Sequence, residues 1–345
     1  MSFEDLIGVK LPIIQAPMAG IQDLSLALAV SRAGGLGSLP CASLSMEQIE
    51  THLETIKHST DNPINLNFFC HQAPGKNLSA ERKWLNLLTP YFEELKVDPE
   101  SIDQQPSRAS LSHDMVDILE PHKPEVISFH FGLPPLDCLV RVKEWGTKIL
   151  SSATTVDEAV WLQDNGIDLI IAQGVEAGGH RGMFLSQNLE SQSDTATLLH
   201  EIREKVTLPV IAAGGISTSK EVTKQLDNGA IATQIGTAYL LCHEMKTSRL
   251  HRQAIRANKI PQTALTNLFS GRPARGIINR VMNELGPINT KAPEFPTASI
   301  ALSALRNIAE KNGSSDFSPL WCGKNTKGCA DISAYDLTRK LAPKL

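Results

Sequence analysis

The residues best suited to chemistry stand together in one stretch, I-I-A-Q-G-V-E-A-G-G-H-R-G at positions 170–182. An apolar run there changes abruptly into Gln173, the glycine pair Gly178 and Gly179, and His180, which is typical of a buried strand that ends in a catalytic loop. The glycines permit positive φ angles and let backbone amides approach a ligand. His180 can exchange a proton near neutral pH, because the pKa of an imidazole lies in that range.

Other polar side chains follow other apolar runs of the chain. The amides of Asn67 and Gln173 both donate and accept hydrogen bonds, so they suit the polar edge of a flat heterocycle, although each could instead cap a neighbouring loop. Pro17 and Met18 could present backbone and thioether to the face of a ring, with simple packing as the alternative for Met18. His130 is a second candidate for proton transfer, with a structural role as the alternative.

Two glycine segments are candidates for binding a phosphate. They read A-G-G-I at 213–216 and Q-I-G-T at 234–237, and the candidate residues are Gly214, Gly215, Gln234, Ile235, Gly236 and Thr237. Backbone N–H groups at the start of a helix bind anions, helped by the helix dipole. Each glycine could merely form a tight turn, but two such segments after successive strands favour an anion site.

The elements that position these residues alternate between strand and helix. Eight short apolar runs predict strands at 11–16, 36–39, 63–69, 126–131, 148–152, 168–173, 208–213 and 230–235. Each is followed by a helical or connecting segment, which indicates parallel strands with helical crossovers. Eight evenly spaced units favour a closed barrel over an open doubly wound sheet, and function in such barrels lies at the carboxyl ends of the strands.

The strand–helix rhythm also suggests domain boundaries. Residues 1–242 are predicted to form the barrel, with an insertion at 70–123 at its mouth, in which 98–108 has the composition of an exposed loop. Residues 243–312 break the rhythm, and residues 313–345 are expected to return to the barrel. The predicted fold is therefore α/β, a (β/α)₈ TIM barrel with a smaller, mainly helical second domain.

Composition excludes several classes of protein. The 345 residues carry a formal net charge of −4, so no basic surface for nucleic acid is expected. No apolar run is long enough to span a membrane, and the N-terminal M-S-F-E-D-L does not resemble a secretory signal. Six scattered cysteines without a C-x-x-C pair predict reduced thiols and a cytoplasmic location. Metal-ligand spacing, a nucleophile elbow and a P-loop are missing from the sequence, so no metal is predicted.

Several motifs together resemble the nitronate monooxygenase family, formerly called 2-nitropropane dioxygenases. They are I-Q-A-P-M-A-G (14–20), A-Q-G-V-E-A-G-G-H-R-G (172–182), P-V-I-A-A-G-G-I (209–216), Q-I-G-T-A-Y-L (234–240) and G-R-P-A-R-G (271–276). S-F-H-F-G-L-P at 128–134 is similar to a mark of its class I branch. The resemblance runs from Pro12 to about Asn279, with weaker marks near Trp321.

The resemblance implies an FMN-binding TIM barrel with a helical second domain. It implies that FMN contacts Pro17, Met18, Asn67, Gln173, Gly178, Gly214, Gly215, Gln234, Ile235, Gly236 and Thr237. By the same resemblance, His130 and Gly179 bind substrate, and His180 is the catalytic histidine, acting either as a base or as an imidazolium that holds the substrate charge. The implied reaction oxidises alkyl nitronates, such as propionate 3-nitronate, with O₂ to a carbonyl compound with nitrite or nitrate, in a monomer or a homodimer.

Two features depart from the family pattern, and three alternatives stay open. The insertion is long, and W-C-G-K-N at 321–325 replaces the usual W-A-G-Q, with Lys324 expected at the surface. One alternative is an NAD(P)H-dependent flavin reductase of the enoyl-acyl-carrier-protein or quinone type. Another is a non-redox, phosphate-binding TIM-barrel lyase or isomerase. A third is a flavoprotein that only binds or senses.

Overall fold

The strands of the protein form one barrel and one small sheet. The computed structural model describes residues 2–102, 109–257 and 260–343. In chain order the strands within these ranges are β1 (Ile13–Gln15), β2 (Gly37–Pro40), β3 (Ile64–Phe69), β4 (Val126–His130), β5 (Lys148–Ala153), β6 (Leu169–Gln173), β7 (Gly179–His180), β8 (Val210–Ala213), β9 (Ala232–Ile235), β10 (Thr263–Thr266) and β11 (Ala274–Ile277).

Eight of these strands are parallel and run in the order β1-β9-β8-β6-β5-β4-β3-β2. The two end strands also meet, because Ile14 bridges Leu36 in parallel and the Gln15 N–H donates to the Leu36 carbonyl at 2.9 Å. The sheet therefore closes on itself. This confirms the predicted (β/α)₈ barrel, and each predicted strand coincides with an observed one.

Helices cover the barrel and fill its second unit. They are α1 (Phe3–Ile7), α2 (Leu24–Arg32), α3 (Met46–Ser59), α4 (Leu78–Leu95), α5 (His113–Leu119), α6 (Leu136–Glu144), α7 (Val156–Asp164), α8 (Thr195–Lys205), α9 (Ser219–Asp227), α10 (Arg249–Ala257), α11 (Arg280–Leu285), α12 (Ser299–Lys311) and α13 (Ala334–Leu341). None of these described helices is long and apolar enough to cross a lipid bilayer.

The barrel strands have apolar side chains on both faces because both faces are covered. Ile13 packs in the layer between strands and helices, whereas its neighbour Ile14 belongs to an inner cluster with Val126 and Leu169, the first residues of their strands. Helix α1 contributes Phe3 to the same inner cluster. The N-terminal helix thus covers the amino ends of the strands and leaves the carboxyl ends open for a site.

A second core lies beside the barrel and includes part of the predicted insertion. Helix α4 supplies Trp84 and Phe92 to a cluster that also contains Leu302 and Leu305 of α12. The Trp84 indole N–H donates to the Ala298 carbonyl at 3.3 Å. The long insertion therefore packs with the second unit. The boundaries at 242 and 312 stay predictions.

Two details of the second unit were not indicated by the sequence. Strands β10, β11 and β7 form an antiparallel sheet, so the unit that follows the barrel contains strands as well as helices. In the predicted exposed loop, Pro99–Ser101 forms a 3₁₀ turn, and residues 103–108 lie outside the described residues.

Candidate active site

A large cavity opens at the carboxyl ends of the barrel strands, and its empty space, counted with its open mouth, is about 1210 Å³. The predicted site residues on its wall are Pro17, Met18, Asn67, His130, Gln173, Gly178, Gly179, His180, Gly214, Gly215, Gln234, Gly236 and Thr237. Ile235 is the exception. Its side chain is 1% exposed and packs in the core, because successive side chains of a strand point to opposite faces.

Part of the cavity wall is a cradle of backbone formed by Gly214, Gly215, Ile216 and Gly236. Gly214 and Gly215 have φ angles of 124° and 69°, which residues with a Cβ atom rarely adopt. None of the described residues accepts a hydrogen bond from the N–H groups of Gly215, Ile216 or Gly236. A cluster of unpaired N–H groups that faces a cavity is suited to a phosphate.

The C-terminal segment completes this cradle. The Gly323 N–H donates to Thr237 Oγ1 at 2.9 Å, and the Asn325 side-chain amide donates to the Gly215 carbonyl at 2.8 Å. Both residues line the cavity, and neither was singled out as a ligand from the sequence. The sequence signal for both residues was the motif W-C-G-K-N at 321–325, which departs from the family pattern and marks where this segment returns to the barrel. Lys324 is exposed, as predicted.

The loop after β6 is fixed from within by Gln173. Its Nε2 group donates to the His180 carbonyl at 2.9 Å, and its Oε1 atom accepts from the Gly182 N–H at 2.8 Å. The amide therefore caps the loop, which is the alternative that the sequence left open, and it also lines the cavity. The loop thus cannot shift without breaking two hydrogen bonds of a buried group.

A buried arginine holds the same loop from behind. Arg181 is 1% exposed, and its guanidinium donates to the Gly174 carbonyl at 2.7 Å, to the Gln173 carbonyl and to Gln192 Oε1. Burial lowers the pKa of Arg181 to about 9, so the group is still protonated at neutral pH. Because its three contacts join the strand end to the loop, Arg181 sets the position of the adjacent His180.

The second unit supplies the outer side of the loop. Gly179 pairs with Arg275 and His180 with Ala274 in an antiparallel register, so the G-R-P-A-R-G motif lies directly against the histidine. The His180 Nε2 atom lies 2.8 Å from Ser270 Oγ. The catalytic candidate is therefore held between the barrel and the second unit.

Four aromatic rings pack near His180, and two of them, Phe69 and Trp321, also line the cavity. The ring centroids of Phe295 and Trp321 both lie 5.5 Å from that of His180, and those of Phe131 and Phe69 lie at 6.0 and 6.4 Å. These apolar rings shield part of the half-buried imidazole from water. Low water content strengthens electrostatic interactions with a bound substrate.

His130 lies beside His180 but has a different environment. Its Nε2 atom lies 3.3 Å from the His180 carbonyl oxygen and its Nδ1 atom 3.0 Å from Ser152 Oγ. Since a carbonyl only accepts, Nε2 carries the hydrogen and Nδ1 accepts from the Ser152 hydroxyl. Burial lowers the pKa of His130 to about 4, so the ring is neutral at pH 7. His130 thus supports the loop and presents a neutral ring to the cavity.

The polar edge of the cavity contains one unsatisfied acceptor. Asn67 Nδ2 donates to Ser128 Oγ at 2.9 Å and is thereby oriented. Gln234 Oε1 is buried and has no hydrogen-bond partner among the described residues. A buried acceptor without a donor is costly. A ligand with a ring N–H group would satisfy it.

Comparison with known proteins agrees with this geometry. The sequence profile described as "Nitronate monooxygenase" matches residues 2–344. The nitronate monooxygenase of Pseudomonas aeruginosa is 36% identical over 99% of this chain and 98% of its own length. That of Paraburkholderia phytofirmans is 35% identical over 99% and 93%.

Solved structures show the same similarity. A crystal structure of nitroalkane oxidase from Streptomyces ansochromogenes has a TM-score of 0.88 and 33% identity, with 99% of this chain and 96% of that chain covered. FabK from Thermotoga maritima, at 23% identity, a TM-score of 0.72 and 98% and 93% coverage, shares the fold. The family resemblance is thereby confirmed. The chain belongs to the nitronate monooxygenase family, an enzyme family of flavin-dependent oxidoreductases.

Proposed function

We propose that this enzyme binds FMN in the cavity and oxidises alkyl nitronates with O₂ to a carbonyl compound with nitrite or nitrate. One observation carries the proposal. His180 lines the same cavity as the unpaired N–H groups of Gly215, Ile216 and Gly236. A nucleotide-sized cofactor with its phosphate at the cradle would therefore occupy the cavity that His180 also lines.

The residues present fit FMN. The cradle offers N–H donors to the phosphate, and Asn325 and Gly323 support it from the C-terminal segment. Gln234 Oε1 offers an acceptor and Asn67 an amide to the polar edge of a flavin ring, while Pro17 and Met18 offer an apolar surface. When bound, FMN supplies the electron transfer from the substrate and onward to O₂.

The protein's own part is to bind, orient and shield the substrate. His180 is the residue proposed to act on it, because its ring lies on the cavity wall and is oriented by Ser270. As an imidazolium it would hold the negative charge of a nitronate. As a neutral base it would deprotonate a nitroalkane. His130, with its low pKa and two occupied ring nitrogens, is the less suitable group for proton transfer.

Spectroscopy with the purified protein tests the proposal. We expect a flavin absorption band, rapid bleaching on anaerobic addition of ethyl nitronate or propionate 3-nitronate, and nitronate-dependent O₂ consumption. NADH is added in a parallel anaerobic experiment. Rapid bleaching by NADH alone would favour the flavin reductase instead, and a colourless protein that takes up no FMN would contradict both.

A further inference from the structure

We propose that Arg272 is a specificity-determining residue that supplies the fixed positive charge by which the cavity prefers anionic substrates. The inference rests on the proposed function and names the residue behind its selectivity. Arg272 does not line the cavity itself. Its guanidinium lies over the ring of Phe131, and the same ring packs near both histidines, so its charge acts on the cavity from a short distance.

The guanidinium of Arg272 lies close to the two histidines of the cavity wall. Arg272 Cζ lies 4.3 Å from the centroid of Phe131, and that ring lies 4.6 Å from the ring of His130 and 6.0 Å from that of His180. The guanidinium is therefore within about 9 Å of His130, since 4.3 and 4.6 Å are the two legs of that path. Interactions over this distance are weakly screened where water is excluded.

The position of Phe131 is maintained against backbone strain. Its φ angle is 70°, an uncommon conformation for a bulky residue. Strain of this kind persists where surrounding contacts enforce it. The contacts here are the stacked Arg272 and the rings of Phe69 and Phe295, with centroids 5.0 and 5.4 Å from that of Phe131. The fold thus fixes the cation and the ring as one unit.

Among the described residues, none forms a direct ion pair that would neutralise the charge of Arg272. Its Nη1 group donates to the Met183 carbonyl at 3.0 Å, and within the described ranges no carboxylate oxygen lies within 4 Å of its guanidinium. Glu158 and Glu294 are the acidic groups that influence it. Glu158 is already bound by the N–H groups of Thr154 and Phe184, and Glu294 is exposed.

Around the loop, guanidiniums outnumber the carboxylates that are shielded from solvent. The guanidiniums of Arg181, Arg272 and Arg275 are set against the carboxylates of Glu158, Glu176 and Glu294, but Glu294 is exposed, so water and salt screen its charge. The chain as a whole has a net charge of −4, so this excess of shielded positive charge is local. A fixed charge in a cleft with low-dielectric walls favours ligands of opposite sign. A nitronate anion benefits from it, and a neutral nitroalkane does not.

Three variants separate charge from packing. Arg272→Gln removes the charge, and Arg272→Lys retains it without the planar guanidinium. Arg280→Gln is the matched control, because Arg280 also lies over aromatic rings, with Cζ 5.6 Å from the centroid of Tyr91, but is paired with Glu94 at 2.6 Å. Melting temperatures identify any variant that is merely unfolded.

Two readouts are measured for each folded variant. The first is kcat/KM for ethyl nitronate relative to neutral nitroethane. The second is the Kd of nitrite, followed by its perturbation of the flavin absorption spectrum, which needs no turnover. For Arg272→Gln we expect the nitronate preference to fall about tenfold and the nitrite Kd to rise about tenfold, as for the loss of one charge in a partly shielded site. Arg272→Lys and Arg280→Gln should stay within about twofold of the parent protein.

Specific results would overturn the inference. An Arg272→Gln protein that loses nitronate and nitroethane activity equally, with an unchanged nitrite Kd, would show that Arg272 only packs. A folded Arg272→Lys protein as impaired as Arg272→Gln would show that charge is not the cause. If the parent protein binds flavin but oxidises no nitronate, the proposed function fails, and the nitrite Kd still decides the role of Arg272.

Discussion

The His180 Nε2 atom lies 2.8 Å from the Ser270 Oγ atom, and this contact joins the barrel to the second unit at the cavity. The two residues are 90 positions apart in the chain. Ser270 is 3% exposed, so the hydroxyl can exchange this partner for water only with difficulty. The orientation of the imidazole thus depends on how the second unit packs against the barrel.

Replacement of His180 tests its role directly. His180→Asn should keep its flavin spectrum but lose most activity on neutral nitroalkanes, about 100-fold or more in kcat, because a positioned general base contributes on this order. Steady-state O₂ consumption with nitroethane and with ethyl nitronate is the measurement. Undiminished turnover of nitroethane would remove the base role, and loss confined to the nitronate would indicate charge stabilisation.

Replacement of Ser270 tests the orienting hydrogen bond. Ser270→Ala should lower kcat by about tenfold through a mispositioned imidazole, with little change in flavin binding. The dependence of kcat on pH should also shift, since His180 Nε2 loses its partner. Ser270→Thr, which keeps the hydroxyl, should have the kcat and the pH profile of the parent protein. A variant with lower stability but an unaltered pH profile would assign Ser270 a packing role.

The loop after β6 packs so closely against the C-terminal segment that Gly178 has no room for a side chain. A Cβ atom there would lie 2.5 Å from the Gly323 backbone nitrogen, so Gly178→Ala must displace the C-terminal segment. We expect a loss of about 1–3 kcal/mol in the free energy of unfolding and weaker FMN binding, measured by denaturant titration and flavin fluorescence. Gly75→Ala is the matched control, because nothing lies within 4 Å of its Cβ position. Equal FMN affinity in both variants would contradict the proposed cradle.

Two histidines make the fold sensitive to acid. Burial lowers the pKa of His130 and of His251 from 6.5 to about 4. Between these values the unfolded chain binds protons that the folded chain does not, so the free energy of unfolding decreases as the pH falls through this window. The melting temperature should therefore decrease as the pH falls below about 6.5. The free energy of unfolding should decrease by up to about 3 kcal/mol per histidine.

A single replacement checks the origin of that acid sensitivity. His251 does not itself line the cavity, although it contacts the backbone of the lining residue Trp321. His251→Asn should make the melting temperature less dependent on pH between the two values while leaving the flavin spectrum unchanged. The control is His52→Asn, on the surface helix α3. The assignment to His251 is wrong if both variants show the slope of the parent protein.

The barrel and most residues of its mouth were predictable from local sequence patterns. Strands buried on both faces are continuous apolar runs, so each was visible locally, as in Leu169–Gln173. Because parallel strands end at the same edge of a barrel, residues that follow them converge there, which brought Asn67, Gln173 and Gly215 together on one wall. The motif Q-I-G-T does not show that the side chain of Ile235 packs in the core, because side chains alternate along a strand, and a contact of Ile235 with the cofactor stays a prediction.

Which distant segments complete the cavity depends on tertiary packing and could not be predicted from local patterns. The pairing of His180 with Ala274, the contact of Asn325 with Gly215 and the packing of α4 (Leu78–Leu95) against α12 (Ser299–Lys311) join parts of the chain that carry no local sign of one another. Local propensity and hydrophobic periodicity indicate the type and the buried face of a single helix or strand, but not which distant element packs against it. Contacts across 94 or 110 positions depend on how whole elements bury their apolar faces together.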